Sequence, residues 1–231
     1  MEPKPTTPLR VKYPRTFHVS WSEGATEDDK THSESDLHTL FDGKEVVVSV
    51  KLDGENSSCY PDGTVHARSL DSAHHESRAW LKQFWAGIAH DLPTGWRVCG
   101  ENLFARHALG YTALPTYFMV FAIFDEQNNM LSWDQMVEWC QLLGVTPVPV
   151  VYRGIYNEKL IQGLYPFPSL YGETVPEGYV IRLAGQFKHS EFTQSTAKFV
   201  RAGHVAEGSE HWRNQAVVPN LLLQPVADSD V

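Results

Sequence analysis

The stretch Val46-Val47-Val48-Ser49-Val50-Lys51-Leu52-Asp53-Gly54-Glu55-Asn56 constrains the fold more than any other part of the chain. Its β-branched run predicts a buried strand over 46–51, and the strand ends on a lysine. Burial disfavours the charged form of an amine and pulls its pKa down. That cost makes sense where the lysine must act as a neutral nucleophile near neutral pH. The spacing Lys-x-Asp-Gly adds a carboxylate and a residue that lets the chain turn tightly. Lys51 is therefore read as a covalent nucleophile. The plainer alternative is an exposed lysine at a strand end, leading into a Gly-Glu-Asn turn.

The rest of the chain sets bounds on that reading. Its 231 residues suffice for one large domain or two small ones. An apolar content of 42% with 20% charged residues describes an ordinary globular protein. No segment approaches the roughly 18 apolar residues that span a bilayer, and the N-terminus lacks the apolar core of a secretion signal. Cys59, Cys99 and Cys140 are odd in number and widely spaced, which points to a reduced, cytoplasmic protein. A net charge of −9 argues against a protein that coats nucleic acid. It leaves room for a local basic groove, since much of the acid clusters between Glu23 and Asp36 and between Glu207 and Asp230. His74-His75 and His204 with His211 lack the spacing of a zinc site with cysteine partners.

Along the chain, residues 1 to about 40 read as a mostly irregular arm rich in proline and charge. Strands are expected at 46–51, at 57–60 and 65–69 as a hairpin around Pro61-Asp62-Gly63-Thr64, and at 96–101 and 117–124. Trp80, Phe84 and Ile88 recur at four-residue spacing and predict a helix over 77–90. Ser132 caps a helix carrying Met136, Val137, Cys140 and Leu143. Residues 145–151, interrupted by prolines, predict an edge strand, and 179–183 and 198–201 the last strands. The fold class is α+β, with mixed, largely antiparallel sheets and flanking helices. The expected division is an arm (1–40), one folded domain (41–205) and a tail (206–231), with too little chain left for a separate C-terminal domain.

Polar residues recur at the ends of these strands: Lys51, Asp53 and Asn56, then Arg68, Glu101, Glu177 and Lys198, with Phe121 inside an apolar strand. Cations to offset phosphate, an aromatic to stack a base and carboxylates for a hydrated magnesium or a ribose would suit a nucleoside triphosphate. Residue chemistry alone leads to that class and no further.

The ordered motifs resemble a known family. Lys51-Leu52-Asp53-Gly54-Glu55-Asn56 is similar to the first motif of the covalent nucleotidyltransferases, the ATP-dependent ligases and capping enzymes. Gly100-Glu101-Asn102-Leu103, Tyr117-Phe118-Met119-Val120-Phe121, Glu177-Gly178-Tyr179-Val180-Ile181 and Ala197-Lys198-Phe199-Val200-Arg201 resemble the later motifs, in order, over residues 45–201. Asn56 tilts the resemblance toward the RNA ligases. Lys12 to His18 and His66 to Leu70 are similar to segments of bacterial and phage RNA ligase-like proteins.

The resemblance implies the fold of a ligase adenylation domain (nucleotidyltransferase, ATP-grasp-like) and an ATP-dependent RNA ligase. Lys51 would attack the α-phosphate of ATP, pass the adenylate to an RNA 5′-phosphate, and leave a 3′-hydroxyl to displace AMP. Phe121 would stack on adenine, Glu101 hold the ribose, Lys198 meet the α-phosphate and Arg68 the ribose or the RNA end. Asp53 and Glu177 would orient Lys51 or bind magnesium or manganese through water, and Asn56 would line the site. Arg15 and His18 either reach the triphosphate or the RNA end, or fasten the arm to the domain. Two positions depart from the pattern: Ala122 stands where related ligases often carry aspartate, and Val200 where a second lysine is usual, with Lys188 or Arg201 as possible substitutes. A DNA ligase or capping-type enzyme, or a non-catalytic nucleotide- or RNA-binding module, remain alternatives. Oligomeric state is open.

Overall fold

A computed structural model of the chain describes residues 10–71, 75–172, 175–203 and 216–224. His74, His204 and His211, and most of the expected tail, lie outside the described residues. In chain order the strands are β1 (Glu45–Lys51), β2 (Glu55–Cys59), β3 (Val65–Ala67), β4 (Arg97–Asn102), β5 (Phe118–Phe124), β6 (Asn129–Met130), β7 (Thr146–Pro147), β8 (Val150–Ile155), β9 (Gly178–Leu183), β10 (Phe187–Lys188) and β11 (Thr196–Val200). The helices are α1 (Glu34–Phe41), α2 (Ala79–Ala86), α3 (Trp133–Leu143), α4 (Glu158–Gln162) and α5 (Phe192–Ser195). This is the expected α+β class, with helices flanking two largely antiparallel sheets.

One sheet has the order β11-β9-β1-β8 and is antiparallel throughout. The other runs β10-β6-β5-β4-β2-β3, with β7 added in parallel beside β5. Val46 and Val48 of β1 pack on Leu37, Phe41, Tyr156 and Ile161, while Val47 joins a core around Leu81, Trp85 and Met136. Burial on both faces explains why β1 reads as an unbroken β-branched run rather than an alternating one. Only three residues, Leu52 to Gly54, separate β1 in the first sheet from β2 in the second. The Lys-x-Asp-Gly motif is thus the crossover between the sheets.

Ser132 caps α3 with a reciprocal box: its hydroxyl accepts the Gln135 amide, and the Gln135 side chain accepts the Ser132 amide. Gly144, at φ 65°, closes the same helix in the left-handed region. The expected helix over 77–90 is shorter: α2 is flanked by 3₁₀ turns at Glu76–Arg78 and Ala89–Asp91. Its buried face is Leu81 and Trp85, one position on from the expected Trp80 and Phe84. Those two rings stack on each other at 5.0 Å and lie half-buried against the same core. The single strand expected over 145–151 is split between the sheets, β7 joining the second and β8 forming the free edge of the first.

The arm is less irregular than its composition suggests. Ser33 and Asp36 form a capping box that starts α1, inside the segment read as an arm. Upstream, the amide of Val19 donates to the Lys198 carbonyl at 2.8 Å and the amide of Lys198 to the Phe17 carbonyl at 2.9 Å. Residues 17–19 therefore cover the edge of β11, the strand that carries Lys198. No helix among the described residues is long and apolar enough to cross a membrane.

Candidate active site

A cavity of about 320 Å³ lies between the two sheets. Strand register decides what faces it. Across β1, β9 and β11 run rows of paired residues: Lys51 opposite Gly178 opposite Val200, Ser49 opposite Val180 opposite Lys198, and Val47 opposite Arg182 opposite Thr196. Lys51, Ser49, Val180, Lys198, Arg182 and Thr196 all line the cavity. On the opposite wall Asn56 of β2 pairs with Glu101 of β4.

Phe121 reaches the cavity through an irregularity in β5. Cys99 pairs with Ala122 and Gly100 with Val120, so Phe121 is an extra, unpaired residue at a bulge. Its neighbours Val120 and Ala122 are fully buried, whereas Phe121 is the one part-exposed residue of the strand. A bulge re-aims a side chain in this way. The Tyr13 ring of the arm meets it edge-on at 5.1 Å.

Lys51 donates from Nζ to Glu177 Oε2 at 2.7 Å. Register makes this contact: Lys51 pairs with Gly178, so the residue before Gly178 falls beside the amine. Both motif glycines are required by close approach. A Cβ on Gly54 would stand 2.6 Å from the Asn102 carbonyl oxygen, and one on Gly178 2.0 Å from that of Phe199. The Gly54 amide donates to Glu101 Oε1 at 3.1 Å, which ties the crossover to the second sheet. Asp53 is held on both sides: its amide donates to the Tyr111 hydroxyl at 2.8 Å, and its Oδ2 accepts the Leu109 amide at 2.6 Å.

The electrostatics reverse one expectation. Burial does pull the Lys51 amine down, but Glu177, Glu101 and Asp53 together outweigh it, and its pKa is raised. The lysine with a lowered pKa is Lys198, brought to about 8 by burial and by the Lys51 charge. Burial, opposed by Lys51 and seconded by Glu177 and Asp53, pushes Glu101 up to about 8. Asp53 rises to about 6, chiefly through burial and Glu177. Burial and the neighbouring Arg15 lower Arg68.

Of the eight residues singled out in the sequence, Lys51, Asn56, Arg68, Glu101, Phe121 and Lys198 line the cavity. Asp53 and Glu177 do not; both stand next to Lys51 instead. Among the described residues, Asp29 and Glu101 are the carboxylates on the wall. Among the described residues, the one grouping of potential metal ligands, Glu34, His38 and Glu158, lies on α1 and α4, outside the cavity lining. Arg15 lines the cavity, whereas His18 is buried, bonded to Ser22 Oγ at 2.7 Å and beside Asp29. Neither Lys188 nor Arg201 lines the cavity. The reading missed Tyr13, Asp29 and Arg182. Arg182, one residue past the quoted motif, is 2% exposed, with Nε and Nη2 bonded to backbone carbonyls. Its Nη1 and the Oδ1 of Asn56 are buried with no hydrogen-bond partner among the described residues. A buried donor and a buried acceptor left open on facing walls of the cavity fit a polar ligand such as a nucleotide.

The fold is that of ligase nucleotidyltransferase domains. A mutant of Naegleria gruberi RNA ligase with ATP and Mn superposes with a TM-score of 0.55 at 16% identity, covering 86% of this chain and 62% of that one. The same ligase with PPi gives 0.55 at 16%, covering 88% and 64%. A candidate ATP-dependent DNA ligase from Aquifex aeolicus gives 0.53 at 17%, covering 83% and 50%. The chain spans less than two thirds of each of these, and at such identities the likeness is one of fold. A search of curated proteins finds no match. The sequence model of the RNA ligase family matches residues 44–200, well over half of the chain, and the chain belongs to that family.

Proposed function

We propose that this chain is an ATP-dependent RNA ligase that joins 5′-phosphate and 3′-hydroxyl ends through a Lys51-AMP intermediate. One juxtaposition carries the reading. The Lys51 amine faces a cavity shared by Arg68, Lys198 and a bulged, part-exposed Phe121, with the Glu177 carboxylate 2.7 Å away. In this reading residues 41–205 form the adenylation domain, completed by the arm and the tail.

The raised pKa means that Lys51 waits as an ammonium, held in place by its carboxylates. It must lose a proton before attack, and Glu177 is the group in contact to take it. The amine then forms an N–P bond to the α-phosphate as the bond to the bridging oxygen breaks and pyrophosphate leaves. Lys198 and Arg68 offset charge on the phosphates, Phe121 stacks on the base, and Glu101 holds the ribose. Next, a 5′-phosphate oxygen of RNA takes the adenylyl group and Lys51 is freed. A 3′-hydroxyl attacks that 5′-phosphate and AMP departs. The divalent ion, magnesium or manganese, would enter with ATP as part of the substrate and offset phosphate charge; Asp53 and Glu177, beside Lys51 rather than on the cavity lining, would hold its water shell. The three buried, unpaired cysteines suit a reducing cytoplasm.

The acceptor is tested with a panel of RNA and DNA 5′-phosphate strands, with and without template. Sealing of RNA strands, lost in Lys51→Ala, is expected. Sealing of DNA alone would move the reading to a DNA ligase, the alternative favoured by the likeness to the Aquifex aeolicus chain. ATP binding without release of pyrophosphate would make the chain a binding module.

A further inference from the structure

The segment 216–224 lies beyond the residues matched by the family, yet it is tied into the candidate active site. It runs along the connection between β4 and β5, residues 103–117, with a nearly continuous set of hydrogen bonds. The Arg106 amide donates to the Val218 carbonyl, Asn220 to Phe104, Leu221 to Tyr111, Leu114 to Leu221 and Leu223 to Leu114. Asn220 is the centre of this contact and is 2% exposed. Its Nδ2 donates to the Leu103 carbonyl at 2.8 Å and, at 3.4 Å, to that of Ala105, while its Oδ1 accepts the Tyr111 amide at 2.8 Å. The Tyr117 hydroxyl donates to the Asn220 carbonyl at 3.0 Å. One side chain thus joins both ends of the turn that spans residues 103–111.

That turn carries the two groups that hold Asp53, the Leu109 amide and the Tyr111 hydroxyl. Asp53 is two residues from Lys51 and acts on its charge. We propose that Asn220 is a positioning residue for the adenylation step. It fixes the turn 103–111 so that Leu109 holds the Asp53 carboxylate, and Tyr111 the Asp53 amide, beside Lys51. The proposal rests on the ligase reading above. It adds that the active site is completed by a segment outside the matched region. A positioning tie and a purely structural tie differ in what they couple to. A structural tie lowers stability alone. A positioning tie also changes the rate of lysyl-adenylate formation, because loosening the Leu109 and Tyr111 contacts lets Asp53 leave its place beside Lys51.

The test uses the full chain with labelled ATP and manganese, in single turnover, well below the melting temperature. Asn220→Ala should slow adenylation on the order of 10-fold to 100-fold at saturating ATP, with KM for ATP within about twofold. Tyr111→Phe removes the hydroxyl that holds the Asp53 amide and should slow the same step. The double variant should be no slower than the worse single one, because both act along one path. Tyr117→Phe is a milder loosening of the same contact; it should give a smaller slowing and serves if Asn220→Ala does not fold. The inference is overturned if a folded Asn220→Ala or Tyr117→Phe melts earlier but adenylates at the wild-type rate, or if the effects simply multiply with Tyr111→Phe. Failure of the wild-type chain to adenylate at all would instead overturn the ligase reading.

Discussion

Lys51 keeps its charge although burial disfavours it, because Glu177, Glu101 and Asp53 lie around it. The neutral amine is therefore scarce, and its fraction falls tenfold for each pH unit below the pKa. Lysyl-adenylate formation should rise with pH across the neutral range. In Glu177→Gln the amine loses its strongest counter-charge and the acidic limb should move to lower pH, read from single-turnover rates across pH. A limb that stays in place would mean that another group sets it. Phe121→Ala should weaken ATP binding by about 1–3 kcal/mol if the ring stacks on the base. An unchanged affinity in calorimetry would leave Phe121 as packing for Tyr13. The lysine, its carboxylate neighbours and the aromatic were legible as residue types in order. The sign of the Lys51 shift was not, because it depends on the register that sets Glu177 beside it. Nor was the bulge at Phe121, which follows from pairing between β4 and β5 and leaves no mark in either strand.

At the level of elements, the crossover from β1 to β2 tolerates no side chain at Gly54. Gly54→Ala must displace the Asn102 carbonyl 2.6 Å away, at a cost of about 1–3 kcal/mol, visible as a lower denaturant midpoint and slower adenylation. A wild-type midpoint would mean that the crossover is looser than its geometry. The arm makes a different prediction. His18 is buried, and burial together with the Lys198 charge pulls it down to about 4 against the pull of Asp29. The unfolded chain takes up a proton from about pH 6.5, whereas the folded arm does not until about 4. Stability should therefore fall as the pH drops through that window, by about 2 kcal/mol, and His18→Asn should flatten that part of the curve. Denaturant melts at a series of pH values read this directly; an unchanged slope in the variant would contradict it. Most strands and the Ser132 cap were readable from pattern and turn chemistry. The helix at Glu34–Phe41 was not, because proline and charge upstream masked its Ser33 and Asp36 box. Trp80, Phe84 and Ile88 do pack against the core, but the fully buried residues of α2, Leu81 and Trp85, lie one position on, because the Trp80 and Phe84 rings also stack on each other.

For the whole molecule, the family region supplies both sheets, yet the cavity also takes Tyr13, Arg15 and Asp29 from the arm, and segment 216–224 braces the Asp53 turn. Such long-range closure leaves little trace in local sequence, which is why the arm read as irregular and Asn220 went unnoticed. The central claim is that Lys51 is a nucleophile toward ATP, and intact-protein mass with peptide mapping tests it most directly. After incubation with ATP and manganese the chain should gain one adenylyl group on Lys51, and Lys51→Ala should gain none. An adenylyl group mapped to another residue, or retained in full by Lys51→Ala, would contradict the account.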